Sequence, residues 1–293
     1  MKRKLALIFI STFCFILMTS CLVACNVVIS SADFKTTNHT VDPFSSIDID
    51  VDVSEIKLVK SADKKYAVTC YETDEYYHKV SVENGTLKIK SVSTLGVNLN
   101  IGWAQSPEIT IYLSEDVYDS LKVSADTGAV SIDKGLTFGS VDIDTDTGAV
   151  DCSADITNTV DINTDTGAIR INGITNASAI NVDCCTGLVS LNDVKCANLN
   201  VKSDTGAINA KNVECTNASI DADTGKVTLT NFKTAMLVAS TNTGDVSLNN
   251  VEILGAITIT SDTGDIHGSL RLADNVVSKI KTDTGNVSVR YID

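Results

Sequence analysis

The tripeptide Asp-Thr-Gly, or a one-residue variant of it, recurs nine times, with glycines at 128, 148, 167, 187, 206, 225, 244, 264 and 285. Successive spacings are 19 to 21 residues. Such a period makes each copy one structural unit that cannot bury an apolar face alone and must stack on its neighbours. Upstream of the glycine, Val141, Ile143 and Thr145 alternate with Asp142 and Asp144, and Val160, Ile162 and Thr164 alternate with Asp161 and Asn163. Downstream, Val130 and Ile132, Val150 and Cys152, and Ile169 and Ile171 repeat the alternation. Period 2 is the signature of a half-buried strand. A third apolar position follows seven or eight residues after the glycine: Leu136, Ile156, Ile174, Val194, Val213, Phe232 and Val251. Helical solenoids need longer units with 3.6-residue periodicity, and the Leu and Asn framework of leucine-rich repeats is missing. The pattern predicts an all-β fold, a single-stranded β-helix of about nine or more coils of 19–21 residues over 121–293. Coils at strand spacing give a rod roughly 40 Å long, with three short inward-facing segments per coil.

Residues 43–120 read as an N-terminal β region, a degenerate start to the same pattern plus an insertion, that caps the rod. Ile47, Ile49 and Val51 alternate with Asp48, Asp50 and Asp52, Ile56 and Leu58 follow, and Ser54 stands where the glycine would be. Val80 to Ile89 reads as a hairpin closed by Asn84-Gly85, and Glu108 to Leu113 as a further strand. After the last strand Tyr291-Ile292-Asp293 follows with no evident cap, so the C-terminal coil is expected to offer a self-association surface.

The first residues are an address. Lys2, Arg3 and Lys4 precede the apolar run Leu5 to Met18, the pattern of a secretory signal peptide over 1–24. Leu22-Val23-Ala24-Cys25 resembles the bacterial lipobox, with Cys25 the residue lipidated, whereas Cys21 has a poorer residue at the aliphatic position. Two acyl chains suffice for stable anchoring. Residues 25–42 read as the tether. The expected location is extracytoplasmic, bound to a bacterial membrane through the lipid. The chain carries a net charge of −14, which argues against nucleic acid, whose phosphates need clustered Lys and Arg.

The Asp-Thr-Gly unit also matches the active-site loop of aspartic proteases, where two loops converge a pair of carboxylates. Nine copies on successive coils form a row instead, and Cys185 and Asn242 replace the aspartate in two of them. Asp126, Asp146, Asp165, Asp204, Asp223, Asp262 and Asp283 are therefore read as turn residues capping backbone N–H groups. Gly128, Gly148, Gly167, Gly206, Gly225, Gly264 and Gly285 supply the conformation beyond. Stacked carboxylates repel, and calcium could relieve them. The glycine-rich nonapeptides of calcium solenoids are absent, however, and no metal or cofactor is assigned. Of the cysteines beyond the signal and Cys25, Cys152 and Cys184 take inward positions, and Cys196 and Cys215 lie 19 apart on adjacent coils. They read as a core ladder, with a disulfide between Cys196 and Cys215 as the alternative in an oxidising compartment. No spacing suggests zinc, and His39, His78 and His267 are scattered without a partner pattern. Trp103 reads as a packing residue.

The Asp-Thr-Gly-Ala-Val/Ile units, the opening Phe44-Ser-Ser-Ile-Asp-Ile and the Val80–Ile89 segment together resemble a bacterial family of candidate adhesins, β-strand-repeat domains of unknown function. The resemblance covers about residues 42 to 290 and implies a surface lipoprotein with no catalytic residues. It points to adhesion, or an envelope interaction scaffold, toward an unidentified surface or extracellular ligand. The alternatives are a carbohydrate-active β-helix enzyme, which would show a groove with converging carboxylates, and a partner in envelope-stress signalling.

Overall fold

In the earlier coils a long strand ends before the glycine and a short strand follows it, whereas from Val189 to Thr263 one strand of 17 or 18 residues runs from each glycine to the next. A computed structural model describes residues 33–94 and 105–292; the signal segment, Cys25 and Trp103 lie outside the described residues. The strands at the N-terminal end are β1 (Lys35–Thr40), β2 (Ser46–Val53), β3 (Glu55–Lys60), β4 (Ala67–Glu72), β5 (Tyr76–Glu83), β6 (Thr86–Ser93), β7 (Glu108–Leu113), β8 (Val117–Thr127) and β9 (Val130–Ile132). No helix occurs among the described residues.

From β8 onward each coil pairs in parallel with the next, in register. One inward ladder runs Leu121, Val141, Val160, Ile180, Leu199, Ala218, Leu237 and Ile257. A second runs Val130, Val150, Ile169, Val189, Ile208, Val227, Val246 and Ile266. These side chains are buried, each contributing about 1.5–3 kcal/mol through the apolar surface it removes from water. The core is thus a narrow apolar column threaded through the coils. The expectation of an all-β solenoid holds.

The register shifts at three places along the described coils, the first of them at the corner of Phe138. Ile156, aligned by count with Leu136, instead pairs with Phe138, which pairs in turn with Tyr118. The rings of Tyr118 and Phe138 lie tilted, with centroids 5.7 Å apart, at this corner, where the register shifts.

At the N-terminal end β2 and β3 pair in parallel with β8 and β9, so residues 46–60 form a coil of the solenoid, with Ser54 at the glycine position. On its far side β6 and β7 pair in parallel with β2 and β3. β5 then runs antiparallel to β6, and β4 antiparallel to β7. Reversing the strand direction ends the parallel stack and covers its edge. Residues 35–40, placed in the tether from their polar sequence, form β1, antiparallel to β4. As an outermost strand, β1 is mostly exposed, so it carries no apolar alternation that a sequence could betray.

Candidate functional site

Every coil turns at its glycine, and the backbone there comes closest to the coil before it. A Cβ built on Gly167 would lie 1.8 Å from the carbonyl oxygen of Gly148, and one on Gly206 would lie 1.7 Å from that of Gly187. The glycine amides are satisfied by the following coil: Gly128 N–H donates to Thr147 O and Gly148 N–H to Thr166 O, both at 2.9 Å. The glycine amides of these turns are thus bonded by the stack itself. Asp126, Asp146, Asp165, Asp204, Asp223, Asp262 and Asp283 are all exposed. Their hydrogen bonds run between coils where a donor replaces the acid, from Cys185 Sγ to Asp165 at 3.7 Å and from Asn242 Nδ2 to Asp223 at 3.1 Å. Where acids stack on acids they repel: partial desolvation, then Asp52, Asp146 and Asp50, raise the Asp126 carboxyl above its ordinary range.

The third inward position before several glycines carries a hydroxyl with its own task, whereas Ala125 and Ala222 stand there without one and Ser203 Oγ has no partner. Thr241 Oγ1 donates to Gly225 O at 3.1 Å, Ser261 Oγ to Gly244 O at 3.1 Å and Thr282 Oγ1 to Gly264 O at 2.9 Å. A small hydroxyl side chain here satisfies the carbonyl that faces the next glycine, which accounts for buried polar residues inside an apolar column. The sequence pattern places these residues on the inward face without revealing that task.

A second corner comes six residues after the glycine. Asp193, Asn212, Asn231 and Asn250 adopt φ of 55°, 55°, 50° and 59°. Asn and Asp tolerate this left-handed conformation better than other side-chain-bearing residues. Each amide reaches back one coil: Asn212 Nδ2 to Asp193, Asn231 to Asn212 and Asn250 to Asn231, at 2.8 to 3.0 Å. The recurring Asn every 19 residues was the available signal.

Beyond this corner lies a groove of about 630 Å³ crossing several coils. Its floor includes Ala177, Cys196, Cys215, Ala197 and Thr216. Lys195 bridges Glu214 at 3.0 Å on its lining, and Glu214 is the one carboxylate among the described lining residues. Glycoside hydrolysis generally needs two carboxyl groups across the scissile bond, and this groove holds one, already paired. From the groove lining Ser178 Oγ donates to Asn158 at 2.8 Å, and outside it Asn217 Nδ2 donates to Asn198 at 2.9 Å, the same amide at coil spacing.

Cys196 and Cys215 are in register on adjacent coils, as expected, and both are free thiols. Cys152 and Cys184 are buried in the column, where burial pushes their thiols up to about 12 and about 11. The histidines are not all scattered. His78 is buried with its Nδ1 3.1 Å from Glu72 Oε2, and Cys70 lies beside them. Fold contacts between β4 and β5 bring these three together, which spacing alone does not show.

Residues 44–179 and 157–293 match the family model described as Toastrack DUF4097. No curated protein matches the chain. Three crystal structures are similar in fold. One is a candidate adhesin of Bacteroides fragilis, at 18% identity and TM-score 0.44, covering 89% of this chain and 98% of that one. A candidate lipid-binding protein of Parabacteroides distasonis gives 16% identity and TM-score 0.47, covering 89% and 99%. A candidate adhesin of the same organism gives 11% and 0.50, covering 88% and 98%.

Proposed function

Because the chain belongs to the Toastrack DUF4097 family, we propose that it is a lipid-anchored scaffold on the outer face of a bacterial membrane. It adheres through its coil ladders and has no catalytic activity. The observation that carries this reading is repetition: Asn212, Asn231 and Asn250 stack on successive coils, as do Asn198 and Asn217, so the same exposed amide recurs coil after coil. A ligand long enough to span several coils gains contacts that are individually weak and collectively strong. Adhesion is also the role suggested for several proteins of this fold. Cys25, following Leu22-Val23-Ala24, supplies the anchor, and a surface position makes the ligand an extracellular one. Exposed Val277, Val287 and Tyr291 on the last coil supply a face for self-association.

The test is fractionation and attachment with one strain set. Cys25→Ser should move the protein from the membrane fraction to the medium or periplasm, and deleting the protein should lower cell attachment. Unchanged membrane association of Cys25→Ser would sink the anchor, and unchanged attachment would sink adhesion.

A further inference from the structure

We propose that Cys70, Glu72 and His78 form a structural site for a zinc-class divalent cation at the amino-terminal end of the solenoid, with His39 as the fourth ligand. Cys70 Sγ, a Glu72 carboxylate oxygen and a His78 ring nitrogen all lie within 4.8 Å of one another, and all three residues are buried. Thiolate, carboxylate and imidazole are the donor set of tetrahedral zinc, with bonds of about 2.0–2.3 Å. Such bonds place ligand atoms roughly 3.3–3.8 Å apart, so only small side-chain rotations are needed.

The surroundings of His78 hold its ring against Glu72. His78 Nε2 lies 2.8 Å from Ser54 Oγ, its Nδ1 lies 3.1 Å from Glu72 Oε2, and that oxygen also accepts the His78 backbone N–H at 2.8 Å. A divalent cation bound between Nδ1 and the carboxylate would take the place of the proton they share. Zinc with one thiolate, one carboxylate and neutral imidazoles is also electrically neutral, which suits a buried site.

His39 gives the second indication. Its Nε2 is buried with no hydrogen-bond partner, and orphaned buried nitrogens are uncommon. It sits on β1 opposite Val68, two residues along the paired strand from Cys70. The Cys70 thiol, pushed up to about 12 by burial and by Glu72, would lose its proton on coordination. Ser54, at the glycine position of the first coil, becomes the outer partner that orients His78. The cation would tie β1, β4 and β5 to that coil.

The test uses the full chain, stripped with chelator while unfolded and refolded with or without Co2+ or Zn2+. One equivalent of Co2+ should give a thiolate-to-cobalt charge-transfer absorption, displaced by Zn2+, and the metal should raise Tm. Cys70→Ala should abolish the band, Cys152→Ala and Cys196→Ala should keep it, and His39→Ala should weaken Co2+ binding tenfold or more. X-ray absorption of the zinc-loaded wild type should show one sulfur neighbour, a reading that needs no variant to fold. Absence of any band, its survival in Cys70→Ala, or a zinc shell of several sulfurs would overturn the site.

Discussion

Gly167→Ala isolates the close approach of successive coils from backbone strain. Gly167 is not among the residues with positive φ, so alanine could adopt its conformation at no dihedral cost. The new Cβ would sit 1.8 Å from Gly148 O and 2.6 Å from Gly148 C. Real Cβ contacts essentially never fall below 3.0 Å, so the two coils must part by about 1.2 Å at that corner. Nearby, Gly148 N–H to Thr166 O and Val150 N–H to Ala168 O are both 2.9 Å and would stretch past hydrogen-bonding range. Losing two such bonds costs about 2 kcal/mol and overpacking about 1–3 kcal/mol. Restricting the unfolded chain returns about 0.4–1 kcal/mol, leaving a net loss of roughly 2–4 kcal/mol. Gly173→Ala is the control. Gly173 has φ +77° and nothing within 4 Å of its Cβ position, so only the left-handed strain of about 1–2 kcal/mol applies. Urea unfolding followed by far-ultraviolet circular dichroism gives both losses from the shift in midpoint at fixed slope. A Gly167→Ala loss equal to or smaller than that of Gly173→Ala would refute the stacking explanation.

Asn212→Ala should cost about 2–3 kcal/mol, from left-handed strain and two interrupted amide bonds, whereas Asn212→Gly should cost about 1 kcal/mol; equal losses in urea melts would count against the ladder. Asp126→Asn should stabilise the protein at neutral pH and low salt by about 0.2–1 kcal/mol, the range for exposed charge pairs. Because folding raises the Asp126 carboxyl, its penalty is fully present above its folded value and disappears as pH falls below the ordinary 3.8. The gain in Tm should therefore vanish in acid and shrink in salt, and a gain independent of both would contradict the repulsion. Sedimentation velocity should show Val287→Lys with Tyr291→Ser weakening concentration-dependent association, and an unchanged distribution would remove the last coil as the contact.

The coil was legible because its two determinants are periodic in sequence: inward residues such as Val141 and Ile143, and a glycine every 19 to 21 positions. The reason for the glycine was not, since the neighbour that forbids a Cβ is a backbone carbonyl about 20 residues away, and a carbonyl leaves no trace in residue identity. Nor does residue identity reveal that the glycine amide bonds the following coil, as Gly128 N–H to Thr147 O does. The polar strand Lys35–Thr40 escaped notice because it lies outermost. Cys70, Glu72 and His78 could not be joined by spacing, since β4 and β5 are brought together by partners far along the chain.

The central claim is that the coil is the unit of surface binding. Deleting residues 207–225 removes one full period, from Ala207 to Gly225, and leaves Ile208's ladder partners to pair across the gap. Attachment of cells displaying this shortened chain, at matched surface levels, tests it most directly. A graded loss of attachment is predicted, since one set of repeated contacts disappears and the others remain. Attachment equal to the parent, or abolished outright, would contradict it.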